Sequence, residues 1–257
     1  MFLEEREQAI VLRLQQYGKV TVEGLAEILG VSAPTVRGDL ARLEGRGLLR
    51  RTHGGAISET RLAYEPTYAE RSILNHEAKQ AIARQAAQLV KEGQTVLLDA
   101  GTTCFEIARM LSYHARLTVV TNSISSAHVL APSCGIDVVV IGGSLQLARE
   151  ATLGPLACAF LNSIRCDIAF VAVNGVDEHA GYTVADFEAA ALKNSMLKSS
   201  ITKVVVADSS KLGKIAFASI GTLTAADLVI CDPGISSTDR DMLTNAGVEV
   251  LAATDRV

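Results

Sequence analysis

The sequence lacks several features that would each have fixed a class. Its five cysteines (Cys104, Cys134, Cys158, Cys166 and Cys231) are widely spaced and form no CxxC pair. That spacing argues against a thiolate zinc site and against a disulfide framework, and predicts buried, reduced thiols. No apolar run reaches the roughly 20 residues needed to cross a bilayer, and no basic-then-apolar signal pattern opens the chain. A cytoplasmic protein with no membrane partner is expected. There is no internal repeat and no low-complexity tract. Charge is modest: 20% of the 257 residues are charged, 49% are hydrophobic, and the net charge is −4. Such a composition supports a sizeable core and excludes global disorder, while net acidity by itself argues against nucleic acid. The length predicts one small and one medium domain.

The charge is unevenly placed. Through Ser58 there are 8 Lys/Arg against 7 Asp/Glu; the remainder holds 16 against 21. Residues 37–51 carry five arginines (Arg37, Arg42, Arg46, Arg50, Arg51) against Asp39 and Glu44. A basic cluster on an acidic chain fits a small DNA-binding unit joined to a different kind of domain. A solvated helix face accounts for the same charges equally well, so the pattern around them has to decide.

FLEEREQAIVLRLQQYG reads as a helix with Ile10, Leu14 and Tyr17 on one face and Gly18 as its stop. VTVEGLAEILG follows, with Leu25, Ile28 and Leu29 at helical spacing and Gly30 at its end. Ser32 is then a good N-cap with Pro34 in the first turn, and a third helix runs to about Arg46 before Gly47. Val36, Leu40 and Leu43 form its buried stripe. At about 100° per residue the opposite face carries Pro34, Gly38, Ala41 and Arg42, flanked by Thr35 and Arg37. This is a helix-turn-helix whose third helix would enter the major groove. LLRRTHGGAI alternates as a two-stranded wing turning near His53-Gly54-Gly55, with Arg50 and Arg51 set for phosphates. Asp39 is expected to pair with a neighbouring arginine.

Past Ser58 the pattern dissolves until Leu74 (SETRLAYEPTYAERSIL), a connector. An amphipathic helix then places Ala78, Ile82, Ala86 and Leu89 on one face. After Gly93, apolar β-branched runs alternate with helical segments: 95–99, 117–121, 136–142, 168–173, 203–208, 227–232 and 248–252. Continuous apolar strands between helices indicate a mainly parallel sheet covered on both faces. Five of the runs lead into loops rich in Gly, Ser, Thr and Asn, which a parallel sheet gathers at its carboxyl edge, where ligands bind. Gly101-Thr102-Thr103 opens a helix whose free N–H groups suit a phosphate. Lys211 would add a cation, and Asn122 a directional hydrogen bond. Taken singly, each loop is ordinary turn chemistry, and for any one residue that reading is slightly favoured.

VSAPTVRGDL followed by RTHGGA resembles the DNA-binding domain of the DeoR family of bacterial sugar-catabolism repressors, whose pattern is close to V-S-x-x-T-I-R-R-D-L and R-x-H-G-G-A. The departure is Gly38, where the family usually has Arg or another polar side chain. The second half is similar to the family's sensor domain through Asp99 to Thr103 (D-x-G-T-T), Thr121-Asn122, Gly142-Gly143 and Asp208 to Lys211 (D-S-S-K). FEAAALKNSM, with Glu188, Lys193 and Met196, fits more loosely. GTTCFEIARML and DPGISSTDRDMLTNAGVEVL look most like repressors of amino-sugar (N-acetylgalactosamine type) operons.

The resemblance implies an α/β chain: a winged helix-turn-helix (1–57), a linker (58–74), and a sugar-phosphate sensor (75–257) with an isomerase/CoA-transferase-like fold. It also implies a homo-oligomer that binds operator DNA and releases it on binding a phosphorylated sugar. No cofactor, metal or catalytic residue is assigned. The DNA-contacting set is Ser32, Thr35, Arg37, Arg42, Arg50, Arg51 and His53. In the effector set, Thr102 and Thr103 hold phosphate, Asp99, Asn122, Asn174 and Glu188 hold hydroxyls, and Lys211 supports either. Gly101, Thr121, Gly142 and Gly143 complete the set by motif. Arg71 and Lys79 are positioned for the linker to respond. The alternative is a sugar-phosphate isomerase or deaminase with a DNA-binding appendage, for which Asp177, Glu178 and His179 would supply the acid and base.

Gly38 generates the first prediction. Glycine inside a helix costs roughly 1 kcal/mol relative to alanine, and a lost base contact roughly 1–3 kcal/mol. Gly38→Arg is expected to tighten binding to the DNA upstream of the chain's own gene, or to shift its sequence preference. Unchanged affinity on every sequence tested would mean that position 38 does not face DNA.

Overall fold

Helical spacing and three short strands build the first of two units, Met1–Glu65 and Pro66–Val257. The computed structural model describes residues 3–57 and 68–253, so the stretch 58–67 of the expected connector lies outside the described residues. The helices are α1 (Leu3–Tyr17), α2 (Val22–Leu29) and α3 (Ala33–Gly45), and the strands are β1 (Lys19–Thr21), β2 (Arg50–Thr52) and β3 (Gly55–Ile57). Capping sets the boundaries: the Thr21 side chain accepts from Gly24 N–H, Gly30 closes α2 in the left-handed conformation, and the Ser32 hydroxyl accepts from Thr35 N–H. Ile10, Leu14, Leu25, Val36, Leu40, Leu43 and Leu49 form the core of this unit, each contributing roughly 1.5–3 kcal/mol by leaving water.

Two expected core positions are exposed. Tyr17 is 57% and Ile28 51% accessible. In α2 the stripe that packs is Val22, Leu25 and Leu29, which lie within about 60° of one another at helical pitch. Ile28 falls off its edge. The wing has three strands in the order β1-β3-β2, not two. β1 is only three residues long, too short to show a period. β3 pairs with both neighbours, and His53-Gly54 form the turn between β2 and β3. Central placement explains Gly55: a Cβ there would stand 1.9 Å from the Val20 carbonyl oxygen.

The second unit begins with α4 (Tyr68–Ile73) and α5 (His76–Leu89). Then come β4 (Thr95–Leu98), α6 (Thr102–Leu111), β5 (Leu117–Thr121), α7 (Ile124–Leu130) and β6 (Ile136–Val140). A hairpin, β7 (Ser144–Gln146) and β8 (Ala151–Leu153), precedes α8 (Pro155–Asn162) and β9 (Cys166–Ala172). The chain continues through β10 (Gly175–Asp177), β11 (Gly181–Val184), α9 (Phe187–Lys198), β12 (Ser200–Val206), β13 (Ala218–Gly221), β14 (Leu228–Cys231), α10 (Ser237–Asn245) and β15 (Glu249–Ala252).

Seven strands form one sheet in the order β15-β14-β12-β9-β4-β5-β6, every neighbouring pair parallel. All seven apolar runs of the sequence are these strands. Alternate residues face opposite layers: Val96 and Leu98 pack with α5 and α6, while Leu97 packs toward α8 and α9. That double burial is why the inner runs are continuously apolar; the edge strands β6 and β15 are mostly exposed or half-buried. β10, β11 and β13 form a separate antiparallel sheet. Three of the five cysteines are buried as expected, but Cys134 is exposed and Cys158 intermediate.

Gly55→Ala is expected to destabilise the first unit by roughly 3 kcal/mol through overpacking against β1, abolishing DNA binding. Hydrogen exchange checks it: amides of α1 to α3 should lose protection while those of β4 and β9 keep theirs. Equal protection in α1 to α3 would mean that β1 yields to the new methyl group.

Candidate functional site

The first candidate surface is the exposed side of α3 with the wing. Pro34, Arg37 and Ala41 are exposed there, and Thr35 and Gly38 half-buried. A Cβ on Gly38 would meet nothing closer than the Arg42 guanidinium at 3.8 Å, so a side chain fits. Ion pairs sort the arginines. Asp39 is fully buried, and its carboxylate accepts from Arg6 Nε at 2.9 Å, from Arg6 Nη2 at 3.1 Å and from Arg42. The pairing with a neighbouring arginine was expected; the second partner, Arg6 of α1, is 33 residues away and was not. Glu7 accepts from Arg42 Nε at 3.0 Å and Arg46 Nη1 at 2.8 Å. Glu44 holds Arg51 through its backbone N–H and its guanidinium.

Arg42 and Arg51 are therefore anchored to carboxylates. Arg37 and Arg50 have no ion-pair partner among the described residues. Ser32 Oγ lies 2.8 Å from Thr35 Oγ1, and His53 is exposed at the tip of the wing. Arg37, Arg50 and His53 form the face with free donors, beside the Thr35 hydroxyl that is shared with Ser32.

The second candidate site lies where the sheet reverses its winding. β4 is laid down first, β5 and β6 add on one side, and β9, β12, β14 and β15 on the other. The switch therefore falls between β4 and β9, the position where open parallel sheets bind ligands. Asp99 follows β4 directly, with 1% of its surface exposed. Its carboxylate accepts from Ala172 N–H at 3.0 Å and from the Lys193 ammonium, and its own N–H donates to the Phe170 carbonyl at 3.1 Å. This pair stitches β4, β9 and α9 together. Lys193 occurs in the sequence only as a lysine on an otherwise apolar face of Ala189, Ala190, Met196 and Leu197. That lone cation was the signal that it meets a buried carboxylate.

Around this pair the other candidates take their places. Thr102 and Thr103 are the first two residues of α6, both buried, and Gly101 caps them. Thr121 ends β5. Asn122, 1% exposed, donates through Nδ2 to the Thr152 carbonyl at 3.1 Å. Ser123 caps α7 by accepting from Ser126 N–H. Gly142 and Gly143 follow β6. At Gly143 the backbone is left-handed (φ 149°), and a Cβ would stand 2.4 Å from the Leu153 carbonyl oxygen. Only glycine lets the β7–β8 hairpin fold back there. Asn174 follows β9 and accepts from Ala185 N–H at 3.3 Å. Lys211 sits in the turn after β12.

These positions do not all meet. At roughly 4.8 Å per strand, β12 and β6 stand about 19 Å apart, farther than one sugar phosphate reaches. Asp99, Thr102, Thr103, Thr121, Asn122 and Asn174 cluster on β9, β4 and β5. Gly142 and Gly143 shape the hairpin at one side, and Lys211 borders the other. Glu188 is exposed in the first turn of α9, accepting from Gln146 Nε2 at 3.0 Å. It ties the hairpin to α9, as Arg149 does by pairing with Asp186.

The acid–base loop is occupied locally. Asp177 accepts from the N–H groups of Ala180 and His179, both at 2.9 Å, and these hold its carboxyl below the usual carboxylate range. Glu178 and His179 are exposed.

Residues 74–233 match the DeoR C terminal sensor domain family, and residues 6–61 the DeoR-like helix-turn-helix domain family. The chain is similar to the HTH-type transcriptional regulator GlpR of Haloferax volcanii: 36% identity over 256 residues, covering 100% of both chains. It is similar to the HTH-type transcriptional repressor GlcR of Bacillus subtilis at 36% identity over 251 residues, 98% of this chain and 96% of that one. With the HTH-type transcriptional regulator GolR of Listeria innocua it shares 34% identity over 253 residues, 98% of this chain and 100% of that one.

Asp99→Ala is expected to destabilise the second unit by roughly 3–5 kcal/mol, because it leaves the Lys193 ammonium buried and unpaired. Adding Lys193→Met should restore most of that loss. Chemical denaturation of the single and double variants measures it; a double variant no more stable than Asp99→Ala would show that the pair is not coupled.

Proposed function

From the chain's membership of the DeoR family of transcriptional regulators, shown by both family matches and by full-length relatives, we propose that it represses a sugar or amino-sugar catabolic operon and leaves its operator when a phosphorylated sugar binds. The observation that carries the sensor half of this reading is the opening of α6 at the switch point. Thr102 and Thr103 begin that helix beside the strand end that holds Asp99, where free backbone N–H groups and the helix dipole favour a phosphate. Asn122 and Asn174 offer amide groups to sugar hydroxyls, and Lys211 supplies a cation at the border.

The DNA half of the reading rests on the winged helix. Arg37 and Thr35 read base edges from α3, while Arg50, with His53 at the tip, meets phosphates. Arg42 and Arg51 orient the surface through Glu7, Asp39 and Glu44. Two such wings on a homo-oligomer grip two half-sites. Because linkage is reciprocal, DNA weakens sugar-phosphate binding by the same factor that the sugar phosphate weakens DNA binding. The use of Asp177 in its own turn weighs against an isomerase or deaminase.

The test is release of the full chain from the DNA upstream of its own gene, at fixed salt, by a panel of phosphorylated and unphosphorylated sugars, with turnover assayed in the same tubes. Release by one phosphorylated sugar without turnover is expected. Thr102→Val should abolish that response and leave DNA affinity within about twofold, a difference too small to mark a lost contact. Turnover without release would overturn the repressor reading, and a full response in Thr102→Val would move the phosphate elsewhere.

A further inference from the structure

The large sheet of the second unit ends at β6, and that edge is bare. β6 pairs with β5 alone, in parallel and without a bulge. Leu117 N–H donates to the Gly135 carbonyl at 3.0 Å, and Ile141 N–H to the Thr121 carbonyl at 2.8 Å. In a parallel pair only alternate residues of a strand engage a given neighbour. These two bonds therefore fix the pattern: residues 135, 137, 139 and 141 turn their backbone groups to β5, while Ile136, Val138 and Val140 turn theirs outward. Ile136 N–H is taken by the Ser133 carbonyl at 3.5 Å. Val138 and Val140 each keep an N–H and a C=O with no partner among the described residues.

The side chains along this edge are apolar. Val139 and Val140 are exposed, and the β7–β8 hairpin that follows exposes Leu145 and Leu147. Edge strands are ordinarily blunted by lysine, proline, a bulge or a covering segment. β6 has no lysine and no proline, and Asp137 is its single charge. The opposite edge differs: β15 begins on the exposed Glu249 and is half-buried from Val250 to Ala252. Unbonded backbone groups flanked by exposed valines suit one more strand.

We infer that the added strand is β6 of a second copy of this chain, running antiparallel about a two-fold axis at Val139. In that register Val138 of each copy lies opposite Val140 of the other, and each such pair exchanges two N–H···O=C bonds. Those bonds use every free backbone group of Val138 and Val140 in both copies. The two Val139 side chains meet on the axis as a non-hydrogen-bonded pair, the closer kind. Charge and bonding exclude the neighbouring registers. Centred on Asp137, two carboxylates would face each other, which destabilises. Centred on Val138, the pairing would need Ile136 N–H, which Ser133 holds. Centred on Val140, most of the bonds would fall on Gly142, past the end of the strand. An axis between two residues would set outward-turned groups against inward-turned ones. A second copy satisfies both edges at once, as an isologous contact must. The two seven-stranded sheets then run on as one, and one assembly carries two DNA-binding units. The inference rests on the repressor reading only for that last consequence.

The test is the mass of the full chain by sedimentation, without DNA or sugar. The wild type should sediment as a dimer or a multiple of one. Val139→Lys sets two like charges opposite each other on the axis and should halve that mass. Val140→Pro removes an N–H that the single chain leaves unbonded, which an edge strand tolerates, and should halve the mass as well. The register is read by cross-linking in a Cys134→Ser background, since Cys134 is exposed. Under oxidising conditions Val139→Cys should give a covalent dimer, because a non-hydrogen-bonded pair sets its Cα atoms about 4.5 Å apart, within disulfide reach. Val140→Cys, which faces Val138, should not, and Cys134→Ser alone should stay free. A monomeric wild type, wild-type mass in both Val139→Lys and Val140→Pro, or no cross-link in Val139→Cys overturns the inference. A dimer that these variants disrupt, but that no sugar phosphate releases from DNA, leaves the interface standing and overturns the repressor reading alone.

Discussion

The carboxylate of Asp99 is the point on which the sensor unit is assembled. It ends β4, the strand from which the sheet winds in both directions, and accepts from the backbone of β9 and from Lys193 of α9. A buried charge tolerates few geometries, because each lone pair left without a donor costs free energy in a medium that cannot solvate it. Fixing Asp99 therefore fixes the spacing of β4 and β9, the start of α6 and the depth of α9 together. The crevice at the switch point inherits its shape from those constraints.

The DNA-binding unit uses a similar device for another purpose. Asp39 is buried among hydrophobic side chains of α3 and gathers Arg6 and Arg42, while Glu7 gathers Arg42 and Arg46. These carboxylates neutralise part of a cluster that would otherwise repel itself, and they orient the guanidinium groups they hold. What remains uncommitted, Arg37 and Arg50, is a small part of the positive charge counted in the sequence. A census of arginines thus overstates the number of side chains with free donors, since a guanidinium held by a buried carboxylate has less to offer a phosphate.

Much of the architecture was legible from the chain alone. Double burial makes the inner parallel strands continuously apolar; the edge strands β6 and β15 stood out by their β-branched runs although they are largely exposed or half-buried. The N-cap at Ser32 and the stop at Gly30 marked the helix-turn-helix, while the Thr21 cap emerged only in the structure. The short antiparallel elements, β1, β10, β11 and β13, were invisible, because three or four residues carry no measurable period and their pairing is supplied by distant partners. Tyr17 and Ile28 were misplaced for a related reason: apolar character does not say which of several apolar residues on a short helix will find a neighbour. Lys193 was seen as a residue but not as a partner.

The sequence by itself determined the two-unit α/β organisation, the family, the helix-turn-helix and the set of polar loops at the carboxyl edge, since periodicity, capping and motif spacing are local properties. Only the tertiary structure decided which members of that set adjoin. Strand order, which runs 15-14-12-9-4-5-6 and not in chain sequence, brings Asp99 beside Ala172 and sends Lys211 and Gly142 to opposite sides. It also decided the long-range ion pairs, such as Arg6–Asp39 and Lys193–Asp99, which join residues 33 and 94 positions apart. Such pairings depend on how two surfaces meet, and no window of sequence records that.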